Sequence, residues 1–230
     1  MNLSKVKQLS LKQQAFESIK NAIIDQTIVP GQILFERQLS EMLGISRTPV
    51  RESIPLLEME GWVTSVPRKG TFVCDISEKD VEEVIQIRRA IEVLVVELLI
   101  PVISDSEIEN IEKLYGTQAE LTEDKNKFIL TDKDFHIYLA ELSGNRRLAQ
   151  LMGTLSDQLR WFGVRALNTP NRNEQTLKEH ALLINAIKNR DVERAKQAVL
   201  NHIEHTRDAI VKNLKIIKIC QKGGGLENPY

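Results

Sequence analysis

Leu43-Gly44-Ile45-Ser46-Arg47-Thr48-Pro49-Val50-Arg51-Glu52 is the stretch on which the reading turns. Before it, Glu36 to Leu43 reads as a short helix, and Gly44-Ile45 leaves room only for a tight turn. Ser46 is a helix-capping residue type, and it opens a further helix lasting to about Glu60. Two short helices across a tight turn form a helix-turn-helix. Leu39, Leu43, Ile45 and Val50 supply the small core that sets the crossing angle. The second helix of such a unit lays its N-terminal residues against base edges in the major groove. Here that end carries Ser46, Arg47, Thr48 and Arg51. Arg47 and Arg51 lie one turn apart and project from one face, and a guanidinium can bond guanine O6 and N7 together. The hydroxyls of Ser46 and Thr48, with the open N–H groups of the helix start, suit a phosphate. The same two arginines could instead pair with Glu36, Glu41 or Glu52 on a solvated surface.

Working outward, Leu11, Ala15, Ile19, Ala22 and Ile23 have helical spacing and predict a helix over 11–25, which Val29-Pro30-Gly31 breaks. On the other side, Gly61 ends the second helix of the motif. Trp62 to Val66 and Thr71 to Val73 read as two short strands turned by Pro67-Arg68-Lys69-Gly70. Such a hairpin is a wing. Its tip would carry Lys69 to an adjacent minor groove or phosphate, while Gly70 lets the backbone approach closely. After Cys74 the strand signals stop, and helical patterns near 78–103, 105–122, 126–142, 146–167, 173–188 and 191–218 take over. Ser77, Ser104 (with Glu107 three residues on) and Asp191 are placed to cap three of them. The fold expected is mainly α: a winged helix-turn-helix over 1–74, an all-α bundle of about six helices over 75–218, and a disordered tail over 219–230.

Whole-chain properties set the frame. The 230 residues are 42% hydrophobic and 27% charged with a formal net charge of −1, ordinary for a soluble globular protein. Residues 1–74 carry nine Lys and Arg against seven Asp and Glu, and the rest 22 against 25, so a mildly basic head precedes an acidic body. Cys74 and Cys220 match no metal or redox spacing. No signal peptide is read at the start, which makes a reducing cytoplasm the expected location. The most apolar run, Ile91 to Ile103, contains Glu92 and Glu97 and is too short to span a bilayer, so no membrane partner is expected.

All four histidines, at 136, 180, 202 and 205, fall in the body. Asp132 and His136 are spaced i, i+4 and share a helix face, while His180 and His202 lie on two other helices. One carboxylate and three imidazoles converging in a bundle suit a divalent transition metal such as Zn²⁺, with coordination left for water or a ligand. From spacing alone, each histidine could equally be a surface residue or a hydrogen-bonded core residue.

Val29-Pro30-Gly31, Arg37-Gln38-Leu39-Ser40, the stretch from Leu43 to Glu52, Leu57-Glu58, Glu60-Gly61 and Lys69-Gly70-Thr71-Phe72-Val73 together resemble the GntR-family winged-helix domain. The resemblance implies DNA contacts from Arg37, Arg47, Thr48, Arg51 and Gly70. Pro55 departs from that pattern; a proline there loses the bond to the Arg51 carbonyl, at roughly 3 kcal/mol in a regular helix, and predicts a kink beyond Arg51. In the body, Arg88-Arg89-Ala90-Ile91-Glu92, Asp132-Lys133-Asp134-Phe135-His136, Ser143-Gly144-Asn145, Glu179-His180, Ala186-Ile187, Asp191, and Ala195 to His202 resemble the FCD ligand-binding domain of the FadR subfamily, and six body helices rather than seven suggest its shorter, VanR-like branch. That resemblance implies a metal held by Asp132, His136, His180 and His202, with zinc first and nickel or another ion as alternatives, and assigns His205 no role. It also implies a small organic acid whose carboxylate is held by the metal and by a buried arginine. Arg88 is the candidate anchor, with Arg160 beside Trp161 a second; a salt bridge from Arg88 to a neighbouring glutamate is the competing reading. The function implied is that of a homodimeric regulator, a repressor rather than an enzyme, binding an inverted repeat in double-stranded operator DNA under control of the acid. A sensor of the metal itself, or a metal-dependent hydrolase, would use the same four side chains.

Overall fold

The computed structural model describes residues 9–223, with residue 165 and residues 216–223 described through their backbone only. The chain divides into two compact units between Asp75 and Ile76.

The first unit begins with α1 (Leu11–Ile24), capped by the Ser10 hydroxyl, which accepts from the Gln13 N–H. Its inward stripe is Ala15, Phe16, Ile19, Ile23 and Ile24; Leu11 lies outside it, exposed. After the turn at Pro30-Gly31 come β1 (Ile33–Leu34), α2 (Glu36–Leu43) and α3 (Arg47–Met59), then the hairpin of β2 (Val63–Val66) and β3 (Gly70–Val73). The sheet order is β1-β3-β2, antiparallel, with Ile33 opposite Phe72 and Val66 opposite Gly70. Sequence reading missed β1, because two residues are too few to show an alternation. Gly44 closes α2 in the left-handed region at φ 65°, where a side chain would be strained, and this is what lets α3 start three residues later. Val50 and Leu57 of α3, with Trp62, Val63 and Val73 of the hairpin, are buried together with the α1 stripe. α3 runs on through Pro55 to Met59 without a break. Pro55 is exposed, so water can satisfy the Arg51 carbonyl that its missing N–H leaves open.

The second unit consists of α4 (Glu78–Leu99), α5 (Asp105–Ala119), α6 (Lys125–Leu142), α7 (Arg146–Ala166), α8 (Arg172–Lys188) and α9 (Val192–Gly223). α9 packs on α4 and α8, and α6 on α7. Ser77 and Ser104 each close a reciprocal capping box, with Asp80 and Glu107, and Asp191 accepts from the Arg194 N–H. Two helix ends differ from expectation by more than three residues. α4 stops at Leu99 rather than 103, because Pro101 has no N–H to donate and crowds the residue before it. α9 runs to Gly223, through the first part of the expected tail, since Ile219, Cys220, Gln221 and Lys222 contain no helix breaker. Residues 224–230 lie outside the described residues. Among the described residues, no helix is long and apolar enough to cross a membrane.

Candidate nucleic-acid interface and metal centre

α2 and α3 put three arginines on the outside of the first unit. Arg37, Arg47 and Arg51 keep 81%, 59% and 65% of their side chains exposed. The acid-pairing alternative is also realised: Arg51 bonds Glu36 through Nε at 3.0 Å and Nη2 at 2.9 Å, Arg47 Nη2 lies 3.6 Å from the same carboxylate, and Arg37 lies 3.5 Å from Glu41. The Arg51 hydrogen bonds outweigh a slight burial and hold Glu36 below the usual carboxylate range. Pairs this exposed are screened by water and contribute little, so they leave the guanidinium groups available to another partner. Ser46 occupies the cap position of α3 without a side-chain cap hydrogen bond, and Pro49 has no N–H, so the first-turn N–H groups receive no cap from Ser46. Thr48 is exposed beside them. At the hairpin tip Lys69 is exposed and its N–H bonds the Val66 carbonyl. Gly70 sits at φ 122°, open to glycine but straining to other residues. Arg68, which sequence reading passed over, is exposed at the same tip with φ 66°.

In the second unit, α6 carries Asp132 and His136 on one face, α8 brings His180 and α9 brings His202. Their ligand atoms lie within 4.8 Å of one another, and all four side chains are buried. The ring centroids of His136, His180 and His202 are 4.8–5.2 Å apart, and Phe135 stacks on His180 at 4.3 Å. Two of the rings, His180 and His202, are held from behind through Nδ1. Gln118 on α5 donates through Nε2 to Asp132 Oδ1 at 3.1 Å, so its Oε1 faces His180 Nδ1 at 2.9 Å and must accept from it. A neutral imidazole carries one proton, so His180 Nε2 is left with its lone pair facing inward. That atom is buried, makes no hydrogen bond, and lies 3.5 Å from Asp132 Oδ1. Glu179 Oε2 takes His202 Nδ1 at 2.8 Å, and Arg172 clamps Glu179 with two bonds of 3.1 and 3.0 Å. His136 Nδ1 is 2.9 Å from Glu92 Oε2, although out of line for a good hydrogen bond. Carboxylate or amide partners on Nδ1 are the arrangement that orients imidazoles toward a metal.

The electrostatics agree. Burial, the largest influence, pushes His180 down to about 3, with Asp132 opposing and His136 and Arg88 adding to it. His202 is pushed well below its ordinary value by burial and by His180 and Arg88. Both rings are therefore neutral donors at neutral pH. Burial would raise Glu92, but Arg88 and His136 overcome it and hold the carboxyl at about 2. Asp132 is held below its usual range by His136, His180 and Arg88, against burial. One carboxylate and three imidazoles, two of them neutral and held from behind, form a donor set that Zn²⁺ or Ni²⁺ can use.

Arg88 lies at the same point. Its Nε pairs with Glu92, while Nη2 reaches 2.9 Å from His136 Nε2 and 3.3 Å from His202 Nε2. The glutamate salt bridge and the inward placement thus coexist. A pocket beside the cluster holds about 410 Å³ of empty space, its mouth included, and is lined by Arg88, Asp132, His136, Met152, Ser156 and Arg160 among others. Arg160 is buried there. Gly163 also lines the pocket, and a methyl group on it would meet Ile129 Cδ1 at 2.4 Å. His205 is half exposed, but its Nδ1 reaches Glu179 Oε1 at 2.7 Å, which ties it to the network behind His202. Sequence reading missed Gln118, Glu92, Glu179 and Arg172 as supports. Glu92 could have been found at i+4 from Arg88 and Glu179 as the neighbour of His180; nothing in the sequence distinguishes Gln118 from a surface glutamine.

The chain matches "Bacterial regulatory proteins, gntR family" over residues 11–73 and "FCD domain" over residues 83–205. It is 33% identical over 196 residues to the HTH-type transcriptional regulator YdhC of Bacillus subtilis, covering 84% of this chain and 87% of that one. It is 26% identical over 206 residues to the HTH-type transcriptional repressor RspR of Escherichia coli, covering 87% and 89%. Among solved structures, E. coli McbR/YncC superposes with a TM-score of 0.74 at 19% identity, covering 90% of this chain and all of that one. A GntR regulator from Rhodococcus sp. RHA1 gives 0.74 at 23% identity, covering 89% and 99%. These likenesses show the fold, and the relatives are transcription regulators rather than enzymes.

Proposed function

This chain belongs to the GntR family of transcriptional regulators with an FCD domain, and on that premise we propose that it is a ligand-responsive repressor whose operator affinity is controlled by a small organic acid bound beside a divalent transition metal. One observation carries this reading: three buried imidazoles face one another beside Asp132, against a pocket that also holds Arg88 and Arg160. Asp132, His136, His180 and His202 would hold the ion, with zinc the first expectation and nickel the second. When bound, the metal would supply a positively charged coordination site for a carboxylate oxygen. Arg88 and Arg160 would orient the acid from the protein side, since a guanidinium fork matches a carboxylate. Ser46, Arg47, Thr48 and Arg51, with Arg37 and the wing residues Lys69 and Gly70, would contact the operator. A homodimer would present two such helices to an inverted repeat in double-stranded DNA.

The test couples both ends. Metal content of the purified protein is measured by elemental mass spectrometry, and binding to a selected operator duplex is measured with and without acetate, succinate and citrate. Expected are about one ion per chain, its loss in His136→Ala, and an acid-dependent change in operator affinity of about 5- to 150-fold. An operator response to metal alone, indifferent to every acid, would replace this reading with that of a metal sensor. A metal-free protein that ignores all acids would overturn it.

A further inference from the structure

Arg88 does more at this site than await a carboxylate. Its Nη2 lies at hydrogen-bond distance from His136 Nε2 and close to His202 Nε2, the same nitrogens that would bind an ion. A metal sits about 2.0–2.1 Å from each nitrogen, which brings tetrahedral donors to roughly 3.4 Å from one another. Here the donors spread to as much as 4.8 Å with a guanidinium among them. We propose that Arg88 is a built-in competitor for the metal site: it fills the centre in the metal-free protein, and its release into the adjoining pocket on metal entry creates the carboxylate anchor. The inference rests on the metal reading above and adds its regulation.

Two physical arguments support it. The first concerns space and charge. A guanidinium and a divalent cation cannot share the same two lone pairs, and their repulsion at this separation in a buried site is large. Arg88 must therefore turn aside, and it already lines the pocket into which it would turn. The second concerns balance. Asp132 lines the pocket with Arg88 and Arg160, Glu92 pairs with Arg88, and Arg172 is matched by Glu179 behind His202. Lys133, at the pocket rim, faces Asp157 at 3.8 Å. The centre is thus near neutral without metal. A divalent ion leaves two positive charges unmatched in buried space, which favours entry of an anion with one or two carboxylates. Metal and acid should therefore bind cooperatively, with Arg88 as the element both of them bias.

The experiment uses full-length protein stripped of metal, titrated with zinc chloride in sodium acetate or in sodium chloride at matched ionic strength, for wild type and Arg88→Met. In the wild type, acetate should tighten zinc binding several-fold, and the observed rate of zinc uptake should level off as zinc rises, because Arg88 must leave first. Arg88→Met should bind zinc roughly tenfold tighter or more in chloride, as expected when a self-occluded fraction becomes competent. It should also lose the acetate effect and take up zinc at a rate linear in concentration. Loss of charge alone would tighten binding but would not turn a levelling rate into a linear one. Should the variant fail to fold, ¹⁵N spectra of wild-type arginine side chains serve instead: one slowly exchanging guanidinium, shifted by its imidazole partners, should disappear when zinc is added. If wild type binds no zinc, the metal reading itself falls. If wild type binds zinc with a linear rate and no guanidinium signal changes, the metal reading stands and the competitor role of Arg88 is refuted.

Discussion

Gln118→Leu is the sharpest test of how the buried cluster is organised. The Gln118 side chain is fully buried and connects two of the candidate ligands, donating to Asp132 Oδ1 at 3.1 Å and accepting from His180 Nδ1 at 2.9 Å. Leucine has similar volume, so the packing of α5 survives while both contacts vanish. His180 Nδ1 then loses its partner. Asp132 keeps His180 at 3.5 Å and His136 at 3.9 Å as neighbours but loses its hydrogen bond. Leaving these two buried groups short of a partner costs about 1–3 kcal/mol each before relaxation. A melting temperature lower by about 5 °C or more is expected in the metal-free protein. Without the amide to place its proton on Nδ1, His180 can equally carry it on Nε2, where it blocks coordination. Removing an orienting partner of this kind weakens metal binding about 10–100-fold. Competition against a chromophoric chelator at pH 7 measures that loss, and chemical denaturation without metal measures the stability term. Zinc affinity within twofold of wild type would refute the claim that Gln118 sets the imidazole.

Other expectations follow from the same geometry. Arg47→Ala or Arg51→Ala should weaken operator binding by about 1–3 kcal/mol and relax base preference, read by fluorescence anisotropy on a panel of duplexes; unchanged affinity on the selected operator would rule out the docking described. Lys69→Ala should weaken all sequences alike and reduce the slope of log affinity against log salt by about one, whereas a sequence-selective loss would argue for base contact instead. Gly163→Ala drives a methyl group against Ile129, which is packed with Phe128, Val164 and Leu167; overpacking of about 1–3 kcal/mol exceeds the helix gain of about 1 kcal/mol, so the melting temperature should fall, and a rise would show that Ile129 has room to move. Lowering the pH should destabilise the metal-free protein. His180, with a folded value near 3, and His202, well below its ordinary value, take up protons in the unfolded chain first, so stability falls as pH drops below about 6.5. The lowered values of Glu92 and Asp132 add a loss in the same direction near and below pH 4. A urea midpoint unchanged between pH 7 and pH 5.5 would contradict neutral burial of the rings.

Local signals explain why so much of the architecture was readable in advance. The tight Gly44 turn, the Ser77 and Ser104 capping boxes and the helical stripe of α1 are decided within a few residues, because caps, left-handed turns and amphipathic spacing act over one turn of chain. Pro101 is equally local, and its neglect accounts for the overlong first body helix. Which side chains stand behind the histidines is another matter. Gln118 reaches His180 across 62 positions of chain and Arg88 reaches His202 across 114. No periodicity encodes such contacts; they exist only once α4, α5, α6, α8 and α9 pack together and exclude water. The candidate ligands were visible as residue types at suitable spacings. The neutrality of His180 and His202, and the guanidinium set beside them, came only with burial, which changes the cost of every charge it encloses.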